Sequence, residues 1–170
     1  VADTRSSGLV DDQFWHARAG GGVVLHLDQP KGDHALRIEG MGQFTNSALP
    51  ATEKFYLGDR DRMRGYHIAT TLGDTGVAGT VELSRYIGIE KGILEAISPS
   101  AFLDAGWAKA TDDATNRGPG RSLASSVGVA TRVFLRDNLA LNGWLALPLS
   151  EDGSGSRMNP AGYLRLTKVW

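Results

Sequence analysis

The feature that most constrains this chain is a two-residue rhythm, interrupted by connections that alternate between short and long. Segments at about 14–27, 34–45, 76–89, 93–110, 122–136, 139–149 and 161–170 carry apolar residues at every second position. In the first, Trp15, Ala17, Ala19, Gly21, Val23, Leu25 and Leu27 share a face, opposite His16, Arg18, Gly20 and His26, with Val24 as an exception. In the second, Leu36, Ile38, Gly40, Gly42 and Phe44 oppose Arg37, Glu39 and Gln43. The later segments repeat the scheme, for instance with Leu123, Val127, Val129, Val133 and Leu135 against Ser126, Arg132 and Arg136. Period two is the signature of a strand with one apolar side. Asp28–Asp33, Glu90–Gly92 and Asp137–Asn138 are short turns, whereas about 46–75, Thr111–Arg121 and Ser150–Pro160 are long connections. Within the fourth segment, Pro99 weakens the strand locally or marks a bulge.

A soluble sandwich has no need for this alternation of connections. An outer-membrane barrel does, with short turns at one end, long loops at the other, an apolar outer face and a polar lumen. No apolar run approaches the roughly 18 residues of a membrane helix, but transmembrane strands need only about 9–11 each. The expected fold is therefore all-β: an antiparallel transmembrane barrel in the bacterial outer membrane, to which this chain contributes about seven strands. The chain is read as one unit, 1–170. Parity directs Arg37, Glu39, Glu82, Asp104, Arg132 and Arg136 into the lumen and the Leu, Val and Ile sets into lipid. Trp15, Trp107 and Tyr163 fall near strand ends, where aromatic girdles occur. Seven strands leave two unpaired edges, which lipid does not tolerate, so further strands, from the same or another chain, are expected to complete the wall. A soluble β-sandwich binding module is the less favoured reading of the same alternation.

The longest connection is also the most unusual. Glu53-Lys-Phe-Tyr-Leu-Gly-Asp-Arg-Asp-Arg-Met-Arg64-Gly65-Tyr66 is highly charged, interleaved with aromatics, and patterned as neither helix nor strand. Connections of this length in compact chains are usually functional or disordered, and the aromatic content argues against disorder. A loop folded inward through the lumen is the expectation.

Phe55-Tyr-Leu-Gly58, Met63-Arg-Gly-Tyr66, Leu72-Gly-Asp-Thr-Gly76 and Val81-Glu-Leu83 together resemble the two-partner-secretion outer-membrane transporters, the haemolysin secretion/activation proteins. These share a superfamily with the barrel-assembly insertases. The hallmark of that superfamily is a long loop bearing a (Val/Met)-Arg-Gly-(Phe/Tyr) tip that folds into the lumen. Ala101-Phe-Leu-Asp-Ala-Gly106 looks like its later strand motif, Phe-x-Asp-x-Gly. The resemblance implies a tip at Arg64, Gly65 and Tyr66, an approach through Phe55, Leu57 and Gly58, and a strand motif contributing Phe102 and Gly106. It pairs Arg64 with Asp104, and Glu82 is a second lumenal candidate. It runs from about Phe14 to Trp170 and makes Trp170 the terminal signal read by the outer-membrane assembly machinery. It also implies periplasmic POTRA domains ahead of a barrel of about sixteen strands, with this chain as the C-terminal part of that barrel. The implied activity is export of an unfolded exoprotein, with insertion or assembly of other barrel proteins as the alternative in the same superfamily. The chain departs from the pattern at Gly58-Asp59, where Gly-Gly is usual, in the charged run Arg60-Asp61-Arg62, and at Lys168, where an apolar residue is common.

Other chemistry finds little support. With Lys+Arg 18 against Asp+Glu 19, there is no electrostatic footprint for nucleic acid. Cysteine is absent, and His16, His26, His34 and His67 have no metal-ligand spacing. There is no Gly-x-Ser-x-Gly elbow, and Gly73-x-x-Gly76-x-x-Gly79 opens no helix. Neither enzyme activity nor a cofactor is expected. The expected partners are the exoprotein, the lipid bilayer and the assembly machinery.

Overall fold

The structure is a computed structural model, and it describes residues 13–28, 33–58, 63–66, 71–111, 121–150 and 159–168. Every regular element among them is a strand: β1 (Ala17–His26), β2 (His34–Phe44), β3 (Phe55–Leu57), β4 (Thr71–Gly73), β5 (Thr75–Arg85), β6 (Ile87–Lys91), β7 (Leu94–Lys109), β8 (Arg121–Leu135), β9 (Leu139–Pro148) and β10 (Ala161–Lys168). The main sheet runs β1-β2-β5-β7-β8-β9-β10, with β6 also paired to β7. The strands of the main sheet follow one another in chain order, with β3 and β4 set apart between β2 and β5, and all pairs are antiparallel. This is one continuous up-and-down sheet, the wall of a partial barrel, and it is open between β1 and β10. It is not the pair of packed sheets that a sandwich requires.

The third expected strand is present in two pieces, β5 and β6, separated at Tyr86. Extending the ladder from Ser84↔Ser100 to Ile87↔Ile97 sets Pro99 opposite the end of β5. Proline has no N–H to give to a ladder. The neighbouring strand lapses there on its β7 side, while on its other side the Tyr86 amide donates to the Asp33 carbonyl at 2.6 Å, continuing the register with β2. Pro99 itself sits in regular register with Thr131, and the register shift in β7 lies between Leu94 and Ala96. The proline thus marks a gap in its neighbour and not a bulge. The turn after β8 places Asp137 and Asn138 at φ 61° and 56°, a region that Asp and Asn tolerate better than other side chains. Arg136, expected on the lumenal face, belongs to this turn, and its amide donates to the Ile93 carbonyl.

One face of the sheet is apolar and exposed, carrying Val23, Ile38, Val81, Leu83, Leu103, Leu123, Val129, Leu145 and Leu147. Trp15 packs beside Phe44 on this face, with ring centroids 5.9 Å apart. Tyr163 does not join them. It is in register with Trp144, on the face shared with buried Ala146, and the two rings lie 6.0 Å apart. Its sequence position is near a strand end as expected, but parity turns it to the other face.

That other face, here called inner, is covered at the long-loop end by the connection from β2 to β5. The connection expected at about 46–75, patterned as neither helix nor strand, contains the two-stranded sheet β3–β4, with Phe55↔Gly73, Tyr56↔Leu72 and Leu57↔Thr71 in register. Phe55 and Leu57 are buried and Tyr56 is exposed. The hydrophobic core of the molecule therefore lies between this hairpin and the sheet: Phe55, Leu57, Met63, Tyr66, Ala78, Ala108 and Ala124.

Candidate functional site

Small side chains on the inner face make room for the loop. Reading across β5, β7 and β8, the inner rows are Ala78–Gly106–Ala124, then Thr80–Asp104–Ser126, then Glu82–Phe102–Gly128. A Cβ on Gly106 would meet Leu57 Cδ2 at 2.6 Å and Met63 Sδ at 3.1 Å. A Cβ on Gly128 would meet Phe102 Cζ at 2.4 Å. The trough is thus cut to the loop at Gly106, and Gly128 lets the Phe102 ring lie across its neighbouring strand.

The tip is a tight turn. Met63 and Gly65 have φ of 55° and 102°, and the Tyr66 amide points back to the Met63 carbonyl at 3.4 Å. Gly65 combines a positive φ with close quarters, since a Cβ there would lie 3.2 Å from Ser126 Cβ and 3.4 Å from Ala146 Cβ. Glycine meets both demands at once.

Arg64 is 5% exposed and Asp104 0%. The guanidinium donates to Asp104 through Nε (3.1 Å to Oδ2) and Nη2 (3.0 Å to Oδ1), a two-pronged fork. The Arg64 backbone amide donates to Oδ2 at 2.8 Å, and the Thr80 hydroxyl donates to Oδ1 at 2.9 Å. The remaining prong, Nη1, reaches Glu82 Oε2 at 2.8 Å, and Ser100 donates to Glu82 Oε1 at 2.7 Å. Arg64 Cζ lies 3.3 Å from the centroid of the Phe102 ring. Burial opposes the arginine charge, but hydrogen bonding and Coulombic attraction from Asp104, and then Glu82, outweigh it and raise its pKa above the ordinary value. Phe102, Asp104 and Gly106 therefore supply stacking, charge and space on successive inner positions of one strand. The arrangement is a non-covalent lock that holds a cationic tip on an anionic wall. Ser126 Oγ, in the row beside Asp104, is buried with no hydrogen-bond partner among the described residues.

Tyr66 anchors the other side of the tip. Its hydroxyl lies 2.7 Å from the Ser125 carbonyl and 2.7 Å from Ser150 Oγ, and it is approached by the amides of Ser125 and Ser150. Tyr66→Phe is expected to weaken this attachment by about 1–3 kcal/mol, the cost of stranding buried polar groups. Faster amide exchange at Ser150, with β7 unchanged, is the readout.

Of the expected site residues, Phe55, Leu57, Arg64, Gly65, Tyr66, Glu82, Phe102, Asp104 and Gly106 converge on this locus. Gly58 ends the approach at φ 102°. Arg37 and Glu39 pair with each other at 2.6 Å on the inner face, and Arg132 bonds Asn142 there. Trp170 and the charged run Asp59–Arg62 lie outside the described residues. Sequence reasoning missed Asp74, which is fully buried at the base of the loop. The available signal was its place in Gly73-Asp-Thr-Gly76, an acid among turn-forming residues directly before a strand.

The profile of the haemolysin secretion/activation protein family ShlB/FhaC/HecB matches residues 2–131. The chain belongs to this family. The match takes in the inward loop, Arg64, Glu82, Asp104 and most of β8. The resemblance read as far as Trp170 thus has family support up to residue 131, and β9 and β10 lie beyond it. No curated protein and no solved structure matches the chain. Membership places the chain among proteins of outer-membrane two-partner secretion and activation.

Proposed function

We propose that this chain is the C-terminal wall and inward loop of an outer-membrane barrel that exports an unfolded exoprotein, and that Arg64, Gly65 and Tyr66 control passage by docking on Asp104 and Glu82. The observation that carries this reading is the buried fork between Arg64 and Asp104. It ties a loop to the face of the sheet that a passing polypeptide would have to use. Ordering so long a loop is costly in entropy, and a lock of this strength offsets that cost while remaining breakable, because every contact is non-covalent. The proposed energy source is folding of the exported chain outside the membrane. The role is transport, and no reaction or cofactor is assigned. The barrel is completed by strands beyond those described, and the assembly machinery inserts it into the bilayer.

The experiment is deletion of the coding region in its Gram-negative host, followed by proteomics of the medium and of the outer membrane. Loss of one exoprotein from the medium, with other barrel proteins at normal levels, is the expected result. A general fall in outer-membrane barrels would instead identify an insertase.

Residence in the bilayer gives a second expectation. Val129 is 57% exposed on the apolar face of β8, in register with Ala101 and Leu145. Val129→Arg in the full-length protein is expected to cost about 2–4 kcal/mol, the range for a cation at mid-bilayer on a barrel's lipid face. The measurement is unfolding in lipid vesicles, and an unperturbed midpoint would contradict a lipid-facing position.

A further inference from the structure

At the opposite end of the loop from Arg64 sits a second buried carboxylate. Asp74 Oδ1 accepts the backbone amide of Leu49 at 2.9 Å and lies 3.2 Å from Lys54 Nζ, while Oδ2 accepts the backbone amide of Thr111 at 2.6 Å. Its own amide donates to the Lys109 carbonyl at 2.8 Å, and its carbonyl accepts Gln43 Nε2 at 2.9 Å. Gln43 also bonds the Glu53 carbonyl and receives Arg18 Nε at 2.7 Å. One side chain therefore gathers the outgoing limb of the inward loop (Leu49, Lys54) and the start of the next long connection (Thr111), and does so next to the return of the loop into β5. A carboxylate that accepts backbone amides in a buried site is strongly held, and removing it strands every donor around it. None of these partners is shared with Asp104, which bonds Arg64 and Thr80.

We propose that Asp74 is a positioning residue: a second anchor that fixes the base of the inward loop independently of its tip and couples that base to the connection after β7. When the tip leaves Asp104, the base stays fixed, so the loop swings about Asp74 and does not leave the wall. This holds whether or not the protein exports an exoprotein, because it concerns the attachment of the loop and not what passes.

Hydrogen exchange on the full-length protein in detergent tests the proposal. In Asp74→Ala, the amides of Leu49 and Thr111 are expected to exchange at least about tenfold faster together, with the β5–β7 ladder and the Arg64 amide unchanged. Asp74→Asn keeps a single acceptor oxygen and is expected to protect one of the two amides while releasing the other. In Arg64→Ala, both amides are expected to keep their protection. The proposal would be overturned by unchanged exchange at Leu49 and Thr111 in Asp74→Ala, by loss that spreads through β5 and β7, or by loss of both amides in Arg64→Ala. Lys54→Met removes the ion pair and leaves the amide contacts. It is expected to show a smaller change at Leu49 and none at Thr111, and equal changes at both would also count against it.

Discussion

Asp104→Ala is expected to be the most damaging single substitution at the tip. It leaves the Arg64 guanidinium buried with Glu82 as its remaining carboxylate, and it strands the Arg64 amide and the Thr80 hydroxyl. Breaking a buried pair by deleting one partner costs about 3–5 kcal/mol, so docking of the tip is expected to weaken by about a hundredfold or more. The measurement is amide exchange at Arg64 and through β3 in the full-length protein, alongside heat-modifiable gel mobility to show that the barrel persists. The double variant Arg64→Ala/Asp104→Ala is expected to be milder than the sum of its parts, because the second change removes the charge that the first leaves unpaired. Additive effects would mean that the two groups do not act as a pair. The same reasoning makes Asp104→Ala a poor exporter under the proposed function.

The second large effect is steric. Gly76 is the second residue of β5 and lies beneath the hairpin, and a Cβ there would lie 2.4 Å from Phe55 Cδ1 and 2.8 Å from the Trp107 carbonyl oxygen. Neither neighbour yields easily, one being a packed ring and the other backbone. Gly76→Val is expected to dislodge the β3–β4 hairpin, at a cost above the usual 1–3 kcal/mol or so for overpacking. Faster exchange at Tyr56 and Leu72, with the β7–β8 ladder intact, is the expected result. Adding Phe55→Ala removes the ring but not the carbonyl, so partial rescue is expected. Full rescue would place the whole conflict on the ring, and no rescue would place it in the sheet backbone.

Much of this architecture was legible because two-residue parity is a strong signal when strands are long. It separated Asp104, Glu82, Arg37 and Glu39 from the Leu and Val face before any contact was known. Parity also shows where a reading by position goes astray: Tyr163 lies near a strand end, yet its register with Trp144 turns it inward. The hairpin β3–β4 escaped notice because Phe55–Leu57 and Thr71–Gly73 are three residues each, too short for periodicity, and their pairing spans a gap in sequence. Asp74 escaped for another reason. Its partners include the backbone amides of Leu49 and Thr111, and a backbone amide leaves no trace in residue type. The small inner residues Gly106, Ala124 and Gly128 were visible as letters, but their purpose depends on which loop side chain arrives above them. Pro99 was legible as a defect, and the ladder shows that the defect falls in the neighbouring strand.

Control of passage by the Arg64 tip is tested by measuring exoprotein in the medium per unit of heat-modifiable barrel in the outer membrane, for the native protein and for Arg64→Ala. Export reduced at least about tenfold, with the barrel at native level, is the result the lock predicts. Export at the native rate from a normally assembled Arg64→Ala barrel would contradict it.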